Sequence, residues 1–174
     1  MTAVDLIIFG ATGDLSARKL FPALYQLDAA GLLQADLRIA AIGRQQQSVE
    51  DFKNELRQKM AGYMREPIDE SVWQRFVPRL DYLASDFAEP DAFLTLRDWL
   101  DDSRVSLFYL ATPPSLFSTI CEQLHGDGCL SGPCRIVLEK PIGESLVTSS
   151  KVNETLARFF DERDIYRIDH YLGK

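Results

Sequence analysis

The chain has 174 residues, 46% hydrophobic and 26% charged, which are ordinary proportions for one globular domain able to bury a core without staples. Its 26 acidic against 19 basic side chains leave a net charge of −7, which argues against broad contact with nucleic acid or an anionic membrane. Cys121, Cys129 and Cys134 form an odd set without metal-ligand spacing, and no apolar stretch approaches the roughly 20 residues of a membrane span, so reduced thiols, no metal and no membrane are expected.

Apolar and amphipathic runs alternate along the chain. Met1-Thr2-Ala3 leads straight into Val4–Phe9, a buried strand, which leaves no room for a signal peptide and suggests a cytoplasmic setting. A helix follows with Leu20, Ala23, Leu24 and Leu27 on one face, and Gly31 closes it. Leu37–Ile42 is the second strand. Ser48 caps the next helix, whose stripe is Val49, Phe52, Leu56 and Met60. Asp69–Val77 reads as a short extra helix and Arg79–Leu83 as a modest strand. Pro90 opens a helix that carries Phe93, Leu96 and Leu100 inward. Val105–Leu110 is a strongly apolar strand, and Phe117, Ile120, Cys121 and Leu124 mark the helix after it. Arg135–Leu138 is a strand, Glu144–Phe160 a helix and Ile165–Ile168 a last strand. Continuous apolar strands alternating with helices predict a single α/β domain over residues 1–174, of Rossmann-type doubly wound form, with a mainly parallel sheet covered by helices on both faces.

The first strand leads into Gly10-Ala11-Thr12-Gly13-Asp14-Leu15-Ser16 and then a helix. A glycine-rich turn in that context lets the backbone approach a pyrophosphate seated on the helix N-terminus. Asp14 reads as an acid capping the helix start, since its charge would repel phosphate. After the second strand stands Gly43-Arg44-Gln45, with no carboxylate for a ribose 2′-hydroxyl. Arg44 can meet a 2′-phosphate with a charge-assisted fork, so NADP is expected to bind more tightly than NAD.

Ligands of an open α/β sheet bind beyond the carboxyl ends of the strands. Ala111-Thr112-Pro113-Pro114 and Glu139-Lys140-Pro141-Ile142-Gly143 occupy such ends, and Lys140 carries a charge suited to phosphate or a polarised hydroxyl. The chain finishes on Arg167-Ile168-Asp169-His170-Tyr171-Leu172-Gly173-Lys174, a cluster of carboxylate, imidazole, phenol and ammonium fit for an anionic, hydroxyl-rich substrate. His125 reads as the surface end of a helix.

Together these segments resemble the glucose-6-phosphate dehydrogenase family, the NADP-linked enzymes that open the oxidative pentose phosphate route. The resemblance rests on Gly10–Leu15, Arg18-Lys19-Leu20, Glu139–Gly143 and Arg167–Lys174 in that order, and the chain would cover only the amino-terminal coenzyme domain. It implies an NADP site lined by Gly10, Thr12, Gly13 and Arg44, with Ala11, Asp14 and Leu15 in the same turn. Lys19 and Lys140 would lie between coenzyme and sugar, and Lys140, His170, Tyr171 and Lys174 would hold glucose 6-phosphate. Asp169 would serve catalysis by orienting a histidine beyond Lys174; neither His125 nor His170 matches that base. The whole-length protein would be a homo-oligomer producing 6-phosphogluconolactone, and this chain alone would turn over little or nothing. Two positions depart from the family pattern: Ser16 replaces the usual alanine and could add a hydrogen bond, and Ala17 falls where lysine is common.

Two other readings compete. A short-chain or epimerase-type oxidoreductase also carries Gly-Ala-Thr-Gly but should show Tyr-x-x-x-Lys, whereas Tyr171 and Lys174 are spaced Y-x-x-K. A non-catalytic NADP-binding regulatory module has little use for the Asp169–Lys174 cluster.

Overall fold

A computed structural model describes residues 2–139 and 146–168. Six parallel strands form one sheet: β1 (Val4–Phe9), β2 (Arg38–Gly43), β3 (Leu80–Ala84), β4 (Val105–Leu110), β5 (Cys134–Glu139) and β6 (Ile165–Ile168). Their order is β3-β2-β1-β4-β5-β6, so the chain reverses its direction of travel between β1 and β4. That is the doubly wound topology, and the crevice at the reversal point is where such sheets take ligands.

The strands are apolar on both sides because helices cover both. Leu6 and Ile8 of β1 pack with α1 (Phe21–Ala29), α2 (Val49–Tyr63) and α3 (Glu70–Phe76) through Phe21, Phe52, Leu56, Met60 and Phe76. Ile7 and Phe9 point the other way, toward α4 (Leu94–Trp99), α5 (Phe117–Gly126) and α6 (Leu146–Phe159). The expected stripe of α5 is buried in full, and Ser48 caps α2 by accepting the Asp51 N–H at 3.0 Å. No helix among the described residues is long and apolar enough to cross a membrane.

Two helices depart from the sequence pattern. In the first, the inward face is Phe21, Pro22, Tyr25 and Asp28, while Ala23 and Leu27 are exposed and Leu20 and Leu24 only half-buried. The cause lies one turn earlier. Ser16–Leu20 forms a π-turn, in which the Phe21 N–H reaches back to the Ser16 carbonyl. Pro22 has no N–H to return to Arg18, and the turn widens by one residue ahead of it. One additional residue rotates everything after it by about 100°, which moves the buried face from Leu20, Leu24 and Leu27 to Phe21, Tyr25 and Asp28. Asp28 tolerates burial because Arg75 and Arg79 donate to its two oxygens at 2.9 and 3.1 Å.

The second departure is at Pro90, which opens no helix. Residues 87–93 form turns and a bend, with Asp91 at φ 57°, and α4 begins only at Leu94. Ser85 Oγ donates to the Ala92 carbonyl at 2.7 Å, and the Asp127 carboxylate accepts the Phe93 N–H at 2.9 Å. These tertiary bonds fix the helix start where the proline signal does not. Phe93 and Leu96 still point inward; Leu100, past the helix end, is half-buried.

At the amino-terminal edge of the sheet, Asp5 is fully buried and joins three segments. Arg38 of β2 and Arg104 before β4 both donate to its carboxylate, and Arg104 also bonds the Val4 and Asp36 carbonyls. Arg38 lies 4.3 Å over the Trp99 ring, whose indole N–H donates to Asp81. This edge is locked by charge, leaving the opposite, carboxyl edge to carry the site.

Candidate coenzyme site

The turn after β1 is closed on a single carbonyl. The Gly10 oxygen accepts the Gly13 N–H and the Ser16 hydroxyl, each at 3.0 Å, and Ser16 is completely buried. Gly10 and Ala11 both donate their N–H groups to the Ile42 carbonyl, at 3.1 and 3.0 Å, so the turn leans over the end of β2. Gly10 has φ 79°, and a Cβ there would stand 2.6 Å from the Ala111 carbonyl oxygen. The end of β1 thus lies directly against the end of β4, at the reversal point of the sheet. Helical turns begin at Asp14 and Leu15, so the first N–H groups there have no preceding turn to donate to. The concave backbone, its free donors and the helix dipole suit a pyrophosphate.

The end of β2 touches the same turn. A Cβ on Gly43 would lie 3.0 Å from Thr12 Cγ2 and 2.7 Å from the Tyr82 hydroxyl. Arg44 follows, exposed, and no carboxylate among the described residues pairs with it. Tyr82 donates to the Gln45 carbonyl at 2.7 Å and stacks on Phe52 with 4.8 Å between ring centres. Burial pushes the Tyr82 pKa up, which keeps the phenol a donor. Nothing in the sequence pattern singled out Tyr82; the one signal was a glycine at the end of the strand beside it.

Asp14 does not cap the helix. No side chain bonds the helix start at Leu15; instead Asp14 accepts Arg18 at 3.0 Å and the Tyr63 hydroxyl at 3.2 Å. The Arg18 guanidinium holds the Asp14 carboxyl below the usual carboxylate range, so the charge stays but is matched by its neighbour. Leu15 is half-buried behind the turn, and Ala11 and Ala17 are buried. Lys19 stands exposed on the π-turn, beside Arg18. With Tyr25, Tyr63 and Arg65, these two cations line a groove of about 730 Å³ between α1 and the α2–α3 connection.

On the other side of the crevice, β5 ends on Glu139, which accepts a hydrogen bond from Tyr109 of β4. Burial is the main cause raising the Tyr109 pKa. Lys140, Asp169, His170, Tyr171 and Lys174 lie outside the described residues, as do the rest of Glu139–Gly143 and the helix start at Glu144. His125 sits exposed near the end of α5 and stacks on Phe159 with 4.8 Å between ring centres. No group of His, Cys, Asp and Glu among the described residues could hold a metal ion.

Comparison with known proteins converges on one family. Residues 7–174 match the family model described as "Glucose-6-phosphate dehydrogenase, NAD binding domain". Glucose-6-phosphate 1-dehydrogenase of Dickeya dadantii is 41% identical over 173 residues, a match spanning 99% of this chain and 35% of that protein. The crystal structure of glucose-6-phosphate 1-dehydrogenase from Mycobacterium avium superposes with a TM-score of 0.91 at 31% identity, over 99% of this chain and 37% of that one. A solved glucose-6-phosphate dehydrogenase in complex with its substrate glucose-6-phosphate gives a TM-score of 0.82 at 34% identity, with the same coverage of 99% and 37%. The chain therefore spans little more than a third of the length of these relatives. It belongs to the glucose-6-phosphate dehydrogenase family, as that family's NAD-binding domain.

Proposed function

We propose that this chain is the coenzyme-binding part of an NADP-linked glucose-6-phosphate dehydrogenase, whose whole-length form oxidises the C1 hydroxyl of glucose 6-phosphate to the lactone. The observation that carries the coenzyme role is the Gly10 turn, packed on the Ala111 carbonyl at the reversal point with open N–H groups at the helix start. Arg44, exposed and without a carboxylate partner among the described residues, favours NADP over NAD.

NADP, when bound, supplies the hydride acceptor. The division of labour for this chain's own residues follows from their chemistry. Gly10–Leu15 hold pyrophosphate, and Arg44 holds the 2′-phosphate. Lys19 and Lys140 set positive charge between coenzyme and sugar. His170, Tyr171 and Lys174 take the sugar phosphate, and Asp169 orients an imidazole base that this chain does not supply. Without that base the chain binds coenzyme but does not turn over. The whole-length protein would work as a homo-oligomer.

Two measurements on the purified chain test this reading together: calorimetric binding of NADP, and NADPH absorbance after adding glucose 6-phosphate. Binding without turnover supports it. Steady NADPH production by a contaminant-free preparation contradicts the division of labour, and absence of NADP binding contradicts the coenzyme role.

A further inference from the structure

The 44–47 segment that carries Arg44 projects from the carboxyl edge of the sheet, with Arg44, Gln45 and Gln46 exposed. Its backbone takes one hydrogen bond among the described residues, from the Tyr82 hydroxyl to the Gln45 carbonyl at 2.7 Å. Tyr82 is itself fixed. The residue is 5% exposed, its ring is stacked on Phe52 at an interplanar angle of 23°, and its strand pairs in register with β2 from Ile39–Leu80 to Gly43–Ala84. The hydroxyl passes through space left by the missing side chain of Gly43, where a Cβ would stand 2.7 Å away. Gly43 in turn abuts Thr12 of the phosphate turn. A buried phenol on β3 therefore reaches under the end of β2 and ties down the loop that bears the cation.

We propose that Tyr82 is a positioning residue for coenzyme selection: its hydroxyl holds the 44–47 loop in the conformation from which Arg44 reads the 2′-phosphate. The inference rests on the NADP preference argued above and names what enforces it. A loop that is ordered only part of the time binds with an affinity lowered by that fraction, and only the ligand that uses the loop feels the loss. NAD, which lacks the 2′-phosphate, is held by the Gly10 turn and is indifferent to where Arg44 stands. The role proposed for Tyr82 runs through the Gln45 carbonyl rather than through the coenzyme itself.

The test compares Tyr82→Phe with the wild-type chain in calorimetric titrations of NADP and NAD. Tyr25→Phe serves as a control, since it also removes a buried hydroxyl, one that bonds the Asp69 backbone away from the loop. Phenylalanine keeps the Tyr82 ring and its stack on Phe52, and thermal unfolding checks that each variant is folded. Tyr82→Phe is expected to raise the Kd for NADP roughly 3- to 10-fold, the worth of one hydrogen bond, with NAD changed less than about twofold. Faster amide hydrogen exchange across 44–47 should accompany it. A wild-type preference for NADP that survives unchanged in Tyr82→Phe overturns the inference, as does an equal loss for both coenzymes or the same shift in Tyr25→Phe. A wild-type chain that binds the two equally, or binds neither, overturns the NADP reading itself and this inference with it.

Discussion

Ser16 donates its hydroxyl to the Gly10 carbonyl at 3.0 Å, across the full width of the phosphate turn and from a completely buried position. The same carbonyl accepts the Gly13 N–H, so an alanine at this place would leave the turn closed by one bond instead of two. Ser16→Ala should therefore fold, bind coenzyme, and lose about 1 kcal/mol of stability, the net worth of a neutral hydrogen bond. Urea unfolding of the two chains measures it; an unchanged midpoint would show that the bond is redundant.

Two of the three left-handed glycines among the described residues, Gly10 and Gly31, separate conformation from space. Both have positive φ, at 79° and 69°, but a Cβ on Gly31 would meet nothing within 4 Å, while one on Gly10 would strike the Ala111 carbonyl. Gly31→Ala should cost about 1–2 kcal/mol, the left-handed penalty alone. Gly10→Ala adds an overpacking term of about 1–3 kcal/mol and pushes β1 and β4 apart where a pyrophosphate would sit. Chemical denaturation should rank the variants in that order, and only Gly10→Ala should lose NADP binding.

Asp5→Ala removes the one buried carboxylate between Arg38 and Arg104, which are 38% and 13% exposed in their side chains. Breaking a buried ion pair by deleting one partner costs about 3–5 kcal/mol. Arg38 can swing to water, so the lower end of that range is expected. Coenzyme affinity, measured on the fraction still folded, should be unchanged because the network occupies the opposite edge of the sheet from Gly10.

The thiols provide a pH-dependent signature. Burial pushes Cys121 and Cys129 up to about 12 from the ordinary 9.0, and raises Cys134 as well. Below 9.0 both folded and unfolded chains keep these thiols protonated, and they contribute no slope. Above it the unfolded chain ionises first, so stability present at neutral pH is lost as pH rises from 9.0 toward 12. Alkylation should show the matching order: slow at neutral pH in the folded chain, with half-buried Cys134 reacting before the other two, and fast for all three in urea. Rapid labelling of Cys121 under native conditions would contradict the buried-thiol assignment.

The strands were legible because parallel strands covered by helices carry mostly apolar runs, and Val4–Phe9, Val105–Leu110 and Ile165–Ile168 match the structure residue for residue although they also hold Asp5, Ser106 and Arg167. The glycine turn was legible for a related reason: Gly10 and Gly13 stand at the one place where a strand must become a helix without a side chain in the way. Where a local signal competed with tertiary bonds, the sequence misled. Pro90 lost to Asp127 and Ser85, and the phase of α1 was set by a π-turn ahead of Pro22 that no 3.6-residue periodicity represents. Asp14 resembled a cap because acids favour helix starts, but Arg18 one turn on and Tyr63 from α2 took its carboxylate. Tyr82 was invisible because its role depends on β3 lying beside β2, a fact of topology rather than of spacing.

A calorimetric titration of the wild-type chain and Arg44→Ala with NADP and NAD tests most directly the proposal that Arg44 selects NADP. Tighter binding of NADP by the wild type, with a loss of roughly 10- to 100-fold for NADP and none for NAD on removing the guanidinium, is the expected result. Equal affinities in the wild type, or an Arg44→Ala chain that still prefers NADP, would contradict it.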